Sequence, residues 1–242
     1  MKHIDVDALG YDSDALFERA SALSQQLKLT IDKHKLPRLQ LTDDKLVLLF
    51  DNFSQIYVDF TLDGSWKSRI IAGKKQGLVK ACKPAKGLRI LDATAGWGRD
   101  AAILSHMGAT VVMLERSPLM RALLADGLSR LPADSSLKER VSLIFMDAFD
   151  YLSELTATDF PDVIYIDPMH PERRKSALVK KEMQVLHQLI GPDRAPGELV
   201  ELAMKRVKQR VVVKWPQRLP PVLAPDFTIG GKTVRFDVFL KH

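Results

Sequence analysis

The chain has 242 residues, 46% hydrophobic and 27% charged, with 36 Lys and Arg against 30 Asp and Glu for a net charge of +6. This composition excludes a disordered chain, and the single cysteine, Cys82, excludes an internal disulfide framework and a cysteine-based zinc cluster. No apolar stretch nears the roughly 18 residues of a membrane span, and the start carries Asp5 and Asp7 where a secretion signal would be basic, so a cytoplasmic protein with an anionic partner is expected.

At about 150 residues per domain, the length fits one full domain and a smaller piece. Near the N-terminus, Ala15, Leu16, Ala20, Leu23 and Leu27 have helical spacing, with Ser13 or Asp14 as a cap. Short β-like runs follow over 39–41, 46–50 and 55–60, separated by the turn formers Thr42-Asp43-Asp44 and Asp51-Asn52. They read as a small antiparallel meander. A basic stretch over 64–86 continues as a loop and a short helix. Residues 1–85 are therefore expected to form a small N-terminal α+β subdomain with a basic linker, and 86–242 the main domain.

From Leu88 onward strands and helices alternate. Strands are predicted over 88–92, 110–114, 141–145, 163–166, 210–213 and 234–240, and helices over 99–107, 118–130, 148–155, 176–189 and 197–208. The early strands are continuous apolar runs, as a parallel sheet covered on both faces requires. The last, Val234-Arg235-Phe236-Asp237-Val238-Phe239, alternates like an edge or antiparallel strand. The Pro-rich 215–225 reads as a rigid loop between the final two strands.

Two strand ends carry chemistry. The first strand runs out at Asp92 into Ala93-Thr94-Ala95-Gly96-Trp97-Gly98-Arg99-Asp100. Gly96 and Gly98 permit close backbone approach to a ligand, and the helix that follows offers free N–H groups. The second strand ends at Glu115, where a carboxylate can take both hydroxyls of a ribose, and the third at Asp147. Acids at three strand ends, without a basic pyrophosphate clamp, suit a cationic nucleoside such as S-adenosyl-L-methionine better than a dinucleotide. The same acids would also serve as helix caps. The fourth strand delivers Asp167-Pro168-Met169-His170-Pro171, whose two prolines hold the chain extended so that its carbonyls project. A carboxylate with a fixed carbonyl can accept both protons of an aromatic amine, and His170 can stack on a base or bond to it.

These motifs resemble the class I S-adenosylmethionine-dependent methyltransferases. The 175–183 segment (Lys175-Ser176-Ala177-Leu178-Val179-Lys180-Lys181-Glu182-Met183) and Val211-Val212-Val213-Lys214 resemble, more specifically, the bacterial ribosomal RNA small subunit methyltransferase J family. The resemblance spans essentially the whole chain. It implies a Rossmann-like α/β sheet, mostly parallel with its last strand antiparallel, and methylation of the exocyclic 2-amino group of a guanine in 16S rRNA. It further implies cofactor contacts at Arg99, Asp100, Glu115, Arg116, Asp147, Ala148 and Asp167, to which the turn reading adds Asp92, Gly96 and Gly98. Asp167, Pro168, Met169 and His170 would form the catalytic motif. The sequence departs from the family in carrying Asp147-Ala148 in place of Ser-Ser, and His170 in place of an aromatic residue.

No acid occurs between Gly64 and Leu91 or between Leu202 and Pro225, and Arg173, Arg174, Lys175, Lys180 and Lys181 form a third basic cluster. Together with Lys67, Arg69, Lys74, Lys75 and Lys214 these bases are expected to grip small-subunit rRNA or a 30S particle. The histidines lack ligand spacing, so no metal is expected. The alternatives are a non-catalytic rRNA-binding or ribosome-assembly factor, and an NAD(P)-dependent oxidoreductase, whose glycine turn and strand-two acid would look the same.

Overall fold

The structure, a computed structural model, describes residues 5–50, 55–61, 67–168 and 196–242. They form two compact units: 5–50, 55–59 and 117–130 in one; 60–61, 67–116, 131–168 and 196–242 in the other.

The first unit holds β1 (Ala8–Tyr11), α1 (Phe17–Leu27), β2 (Thr30–Ile31), β3 (Arg38–Leu41), β4 (Leu46–Leu49) and β5 (Gln55–Ile56), in the sheet order β2-β1-β3-β4-β5. The expected antiparallel meander accounts for β3, β4 and β5. The sheet as a whole is mixed, because β1 pairs in parallel with both β2 and β3. Ala8 and Leu9 of β1 are fully buried with Leu39, Leu41, Val47 and Leu48. Each such Leu or Val side chain contributes on the order of 1.5–3 kcal/mol when removed from water. The helix over Pro118–Ser129, capped by the Ser117 hydroxyl, also belongs to this unit.

The second unit begins with α2 (Lys67–Ala72) and α3 (Gly77–Cys82), followed by β6 (Arg89–Asp92), α4 (Arg99–His106) and β7 (Thr110–Leu114). With the capped helix counted as α5, there follow α6 (Ser136–Arg140), β8 (Val141–Ile144), α7 (Ala148–Glu154), β9 (Val163–Ile166), α8 (Pro196–Lys205), β10 (Arg210–Pro216), β11 (Phe227–Gly230) and β12 (Val234–Leu240). The helix predicted over 176–189 lies outside the described residues. Among the described residues, no helix is long and apolar enough to cross a membrane.

The seven-stranded sheet has the order β11-β12-β10-β9-β6-β7-β8. β8, β7, β6, β9 and β10 are parallel, and β12 runs antiparallel to β10. This is the expected Rossmann-like class I arrangement. One correction concerns 215–225, which does not by itself join the last two strands. β10 continues to Pro216, and the edge strand β11 intervenes, antiparallel to β12. Three of the four β11 residues are exposed, so the segment carries little apolar pattern.

The strands β6, β7 and β9 are buried almost throughout, in keeping with their continuous apolar runs. From β6 the chain winds one way through β7 and β8, then the other way through β9 and β10. In such a sheet a crevice opens at the carboxyl ends where the winding reverses, here between β6 and β9.

Candidate active site

The β6 turn is pinned on both sides of that crevice. Gly96 and Gly98 take positive φ values of 52° and 70°, a region that favours glycine. The Gly98 N–H donates to the Ala95 carbonyl at 2.8 Å, and the Ala95 N–H donates to Leu114 of β7 at 3.1 Å. On the other side, the Asp167 N–H donates to Thr94 Oγ1 at 2.6 Å. The turn thereby fixes the end of β9 relative to β6, and with it the base of the Asp167 side chain.

The predicted acids do reach this edge. Asp92 ends β6, Glu115 follows β7, Asp147 follows β8 and Asp167 follows β9. Asp92 is only 1% exposed and accepts the Thr94 N–H at 3.2 Å. Burial, and then the nearby Asp100 charge, push its carboxyl up to about 8. Glu115 is buried, and its N–H is held by the Ile144 carbonyl at 3.1 Å. Asp147 caps α7 by accepting the Phe149 N–H at 2.8 Å, and it lies 3.7 Å from Arg116. Ala148, the first residue of α7, is buried behind it.

Asp100, the second residue of α4, has both oxygens engaged. Arg69 reaches Oδ1 at 2.7 Å; the Tyr165 hydroxyl donates to Oδ2 at 2.6 Å and Lys214 reaches the same atom at 3.3 Å. Burial alone would raise this carboxyl, but the Lys214 and Arg69 charges and the Tyr165 hydroxyl hold it well below the usual carboxylate range. Asp100 is thus an anchor within the protein. Lys214 also donates to Asp167 Oδ2 at 2.6 Å. Its burial would lower its pKa, but the Asp100 and Asp167 carboxylates outweigh that and hold the ammonium above its ordinary range.

The basic residues divide. Lys74 and Lys75 are exposed in the turn after α2, whereas Arg69 and Lys214 are paired with carboxylates of the site. Lys214, whose side chain is 25% exposed, therefore does not stand as the free phosphate contact that its basic tract implied. Lys67 is the first residue of α2. Met169, His170, Arg173, Arg174, Lys175, Lys180 and Lys181 lie outside the described residues. Nor do the acid-free tracts gather on one edge. Arg89 starts β6 and Arg210 starts β10, so both sit at the amino edge, opposite the crevice.

Sequence reasoning passed over Tyr165 and Thr94. Tyr165 sat unremarked in the apolar run of β9, and Thr94 in a turn read for its glycines. The donor set fits a cationic nucleoside: a glycine turn with close backbone access, a buried acid after β7, and carboxyl groups at the ends of β6 and β9. Among the described residues, no group of three His, Cys, Asp or Glu side chains could hold a metal ion.

Comparisons with known proteins agree with this chemistry. A family model described as "Putative SAM-dependent methyltransferase" matches residues 22–241. The chain is 55% identical, over 97% of its length and 96% of the relative's, to ribosomal RNA small subunit methyltransferase J of Legionella pneumophila strain Philadelphia 1. It is 44% identical, over 77% of each chain, to the protein of the same name from Nitrosococcus oceani. The fold is similar to the crystal structure of a SAM-dependent methyltransferase from Neisseria gonorrhoeae, with a TM-score of 0.72 and 30% identity over 97% of this chain and 96% of that one.

Proposed function

The chain belongs to the ribosomal RNA small subunit methyltransferase J family of S-adenosylmethionine-dependent enzymes, and from that premise we propose that it methylates the exocyclic 2-amino group of a guanosine in 16S rRNA. The observation that carries this reading is the state of Asp167. Its backbone is locked by Thr94 and one carboxylate oxygen is held by Lys214, while Oδ1 accepts no hydrogen bond among the described residues. An acceptor fixed in this way, beside the point where the winding of the sheet reverses, suits an aromatic amine.

S-adenosyl-L-methionine supplies the electrophilic methyl group when bound. Gly96, Gly98 and Arg99 would approach it through the turn and the start of α4, with Asp92, Glu115 and Asp147 as its acidic surround. Guanine's amine is a poor nucleophile because its lone pair is delocalised into the ring. Asp167 and the Pro168 carbonyl would accept its two N–H bonds and hold it turned toward the methyl group. Positioning of this kind supplies up to about 7–11 kcal/mol in favourable systems. The base must first leave its stack, at a cost of a few kcal/mol. Lys74 and Lys75, with Arg173, Arg174, Lys175, Lys180 and Lys181, would grip the RNA backbone, and Met169 and His170 would complete the motif around the base. The partner is small-subunit rRNA or the 30S particle, and the reaction belongs in the cytoplasm.

The oxidoreductase alternative is not favoured, since both the family and the fold are those of methyltransferases. A purely structural assembly factor would have no use for an acceptor pinned like Asp167. The test is mass mapping of small-subunit rRNA from strains with and without the protein. One guanine is expected to lose a methyl group in the deletion strain and regain it on complementation. Identical maps would refute the proposal.

A further inference from the structure

In the parallel pairing of β9 with β10, Ile166 lies opposite Val213. The next residue on each strand, Asp167 and Lys214, therefore meet at the carboxyl edge. Lys214 Nζ lies 2.6 Å from Asp167 Oδ2 and 3.3 Å from Asp100 Oδ2. Asp100 cannot swing away, because Tyr165 donates to it at 2.6 Å and Arg69 holds its other oxygen at 2.7 Å. The ammonium is thus fixed from one side and grips Asp167 from the other.

We propose that Lys214 is a positioning residue for methyl transfer: clamped by Asp100, it holds Oδ2 of Asp167 and leaves Oδ1 to accept the substrate amine. The assignment rests on the reading of Asp167 as the amine acceptor. It differs from the phosphate-contact role that the basic tract implied, because a phosphate-binding lysine would need its donors free.

The groups acting on Asp167 come from several elements: Lys214 from β10, Asp100 from α4, Arg69 from α2, Asp92 from β6 and Tyr165 from its own strand. Burial pushes the Asp167 carboxyl upward and Asp100 adds to this; Lys214, and more weakly Arg69, oppose it, and the carboxyl stays above its ordinary value. Removing the Lys214 charge leaves burial and Asp100 opposed only by Arg69, and Asp167 then takes up a proton at higher pH. A protonated Asp167 is a poorer acceptor for an amine, so the loss should appear in turnover and in its pH dependence.

The experiment compares the wild type with Lys214→Met and Lys214→Arg. Methyl transfer to small-subunit rRNA is followed against pH and salt, and the Asp167 carboxyl is titrated by carbon-13 NMR. For Lys214→Met, kcat should fall by about 100-fold, as expected when a reacting group is misplaced by an ångström. Its acid limb and the NMR midpoint should rise by about one to three pH units. KM for rRNA and the salt dependence should stay at wild-type values. Lys214→Arg, which keeps the charge, should hold the acid limb in place. Wild-type kcat and acid limb in Lys214→Met would overturn the proposal. So would a defect confined to KM with a shallower salt dependence, since that is the signature of a lost phosphate contact. If the wild type transfers no methyl group to rRNA, the proposed reaction fails, and the NMR midpoints still decide the role of Lys214: equal values refute it, and a raised midpoint in Lys214→Met upholds the clamp.

Discussion

Asp92→Asn removes an ionisable group from the site while keeping its shape. Asp92 is 1% exposed, and burial followed by the Asp100 charge moves its carboxyl from 3.8 to about 8. A folded-state value above the unfolded one means that the native chain binds the proton more tightly. The stability gained is fully present below about pH 4 and is lost as the pH rises through 8. At about 1.4 kcal/mol per pH unit, the whole window spans about 6 kcal/mol. Between pH 6 and 8, with the group half-protonated at the upper limit, the share is about 2 kcal/mol. Asparagine retains the acceptor for the Thr94 N–H and cannot ionise. Urea unfolding of both proteins at pH 6 and 8 should show the wild type losing about 2 kcal/mol more than the variant. Histidine titrations are common to both and cancel in the difference. Parallel losses in the two proteins would refute the reasoning.

Asp167→Ala should lower single-turnover methyl transfer to rRNA by at least about 100-fold, and a near-normal rate would count against Asp167 as the amine acceptor. Arg235 bonds to buried Asp237 at 2.8 and 3.2 Å and to the Pro216, Gln217 and Leu219 carbonyls at 3.0, 3.0 and 2.7 Å. Arg235→Met should therefore destabilise the fold to urea by about 3–5 kcal/mol, and a loss typical of an exposed pair, under about 1 kcal/mol, would contradict that. Lys74→Ala and Lys75→Ala should each weaken rRNA binding and reduce the salt slope by about 0.7–0.9; an unchanged slope would remove these lysines from the interface. Calorimetry in buffers of different ionisation heat should detect proton release when S-adenosyl-L-methionine binds near pH 7, abolished in Asp92→Asn; uptake or no exchange in the wild type would exclude Asp92 as the source.

The parallel core of the second unit was legible because β6, β7 and β9 are buried on both faces and so are written as unbroken apolar runs. The acids at their ends were legible for the same reason, since locating a strand also locates its last residue. β1 and β11 escaped notice for opposite reasons. Ala8-Leu9-Gly10-Tyr11 is buried but too short to show a period, and Phe227-Thr228-Ile229-Gly230 is exposed except for the half-buried Ile229, so it shows little apolar pattern. The edge on which each base falls could have been read from chain direction. Arg89 and Arg210 open their strands and must sit at the amino edge, while Lys214 lies near the end of β10. What no local pattern reveals is partnership. That Lys214 meets Asp100 and Asp167, and that Tyr165 meets Asp100, depends on strand order and register across residues far apart in the chain.

Those partnerships also explain how so many acids can share one crevice. Asp100 and Asp167 are balanced by Lys214 and Arg69, and Asp147 has Arg116 nearby. A further standing negative charge, buried at Asp92, would repel Asp100 and Asp167 and weaken the fold. Burial avoids this by keeping Asp92 protonated near neutrality, so no further charge stands beside the paired Asp100 and Asp167. A cationic ligand bound beside Asp92 would favour the ionised carboxyl and displace the proton. Asp92 can then supply a negative charge when a sulfonium or ammonium group is beside it, without imposing one on the folded chain otherwise. The excess of +6 in the whole sequence lies outside this cluster, with Lys74 and Lys75 exposed in the turn that follows the Arg69 helix. Charge on that turn can attract a polyanion, while the carboxylates Asp100 and Asp167 keep their own basic partners.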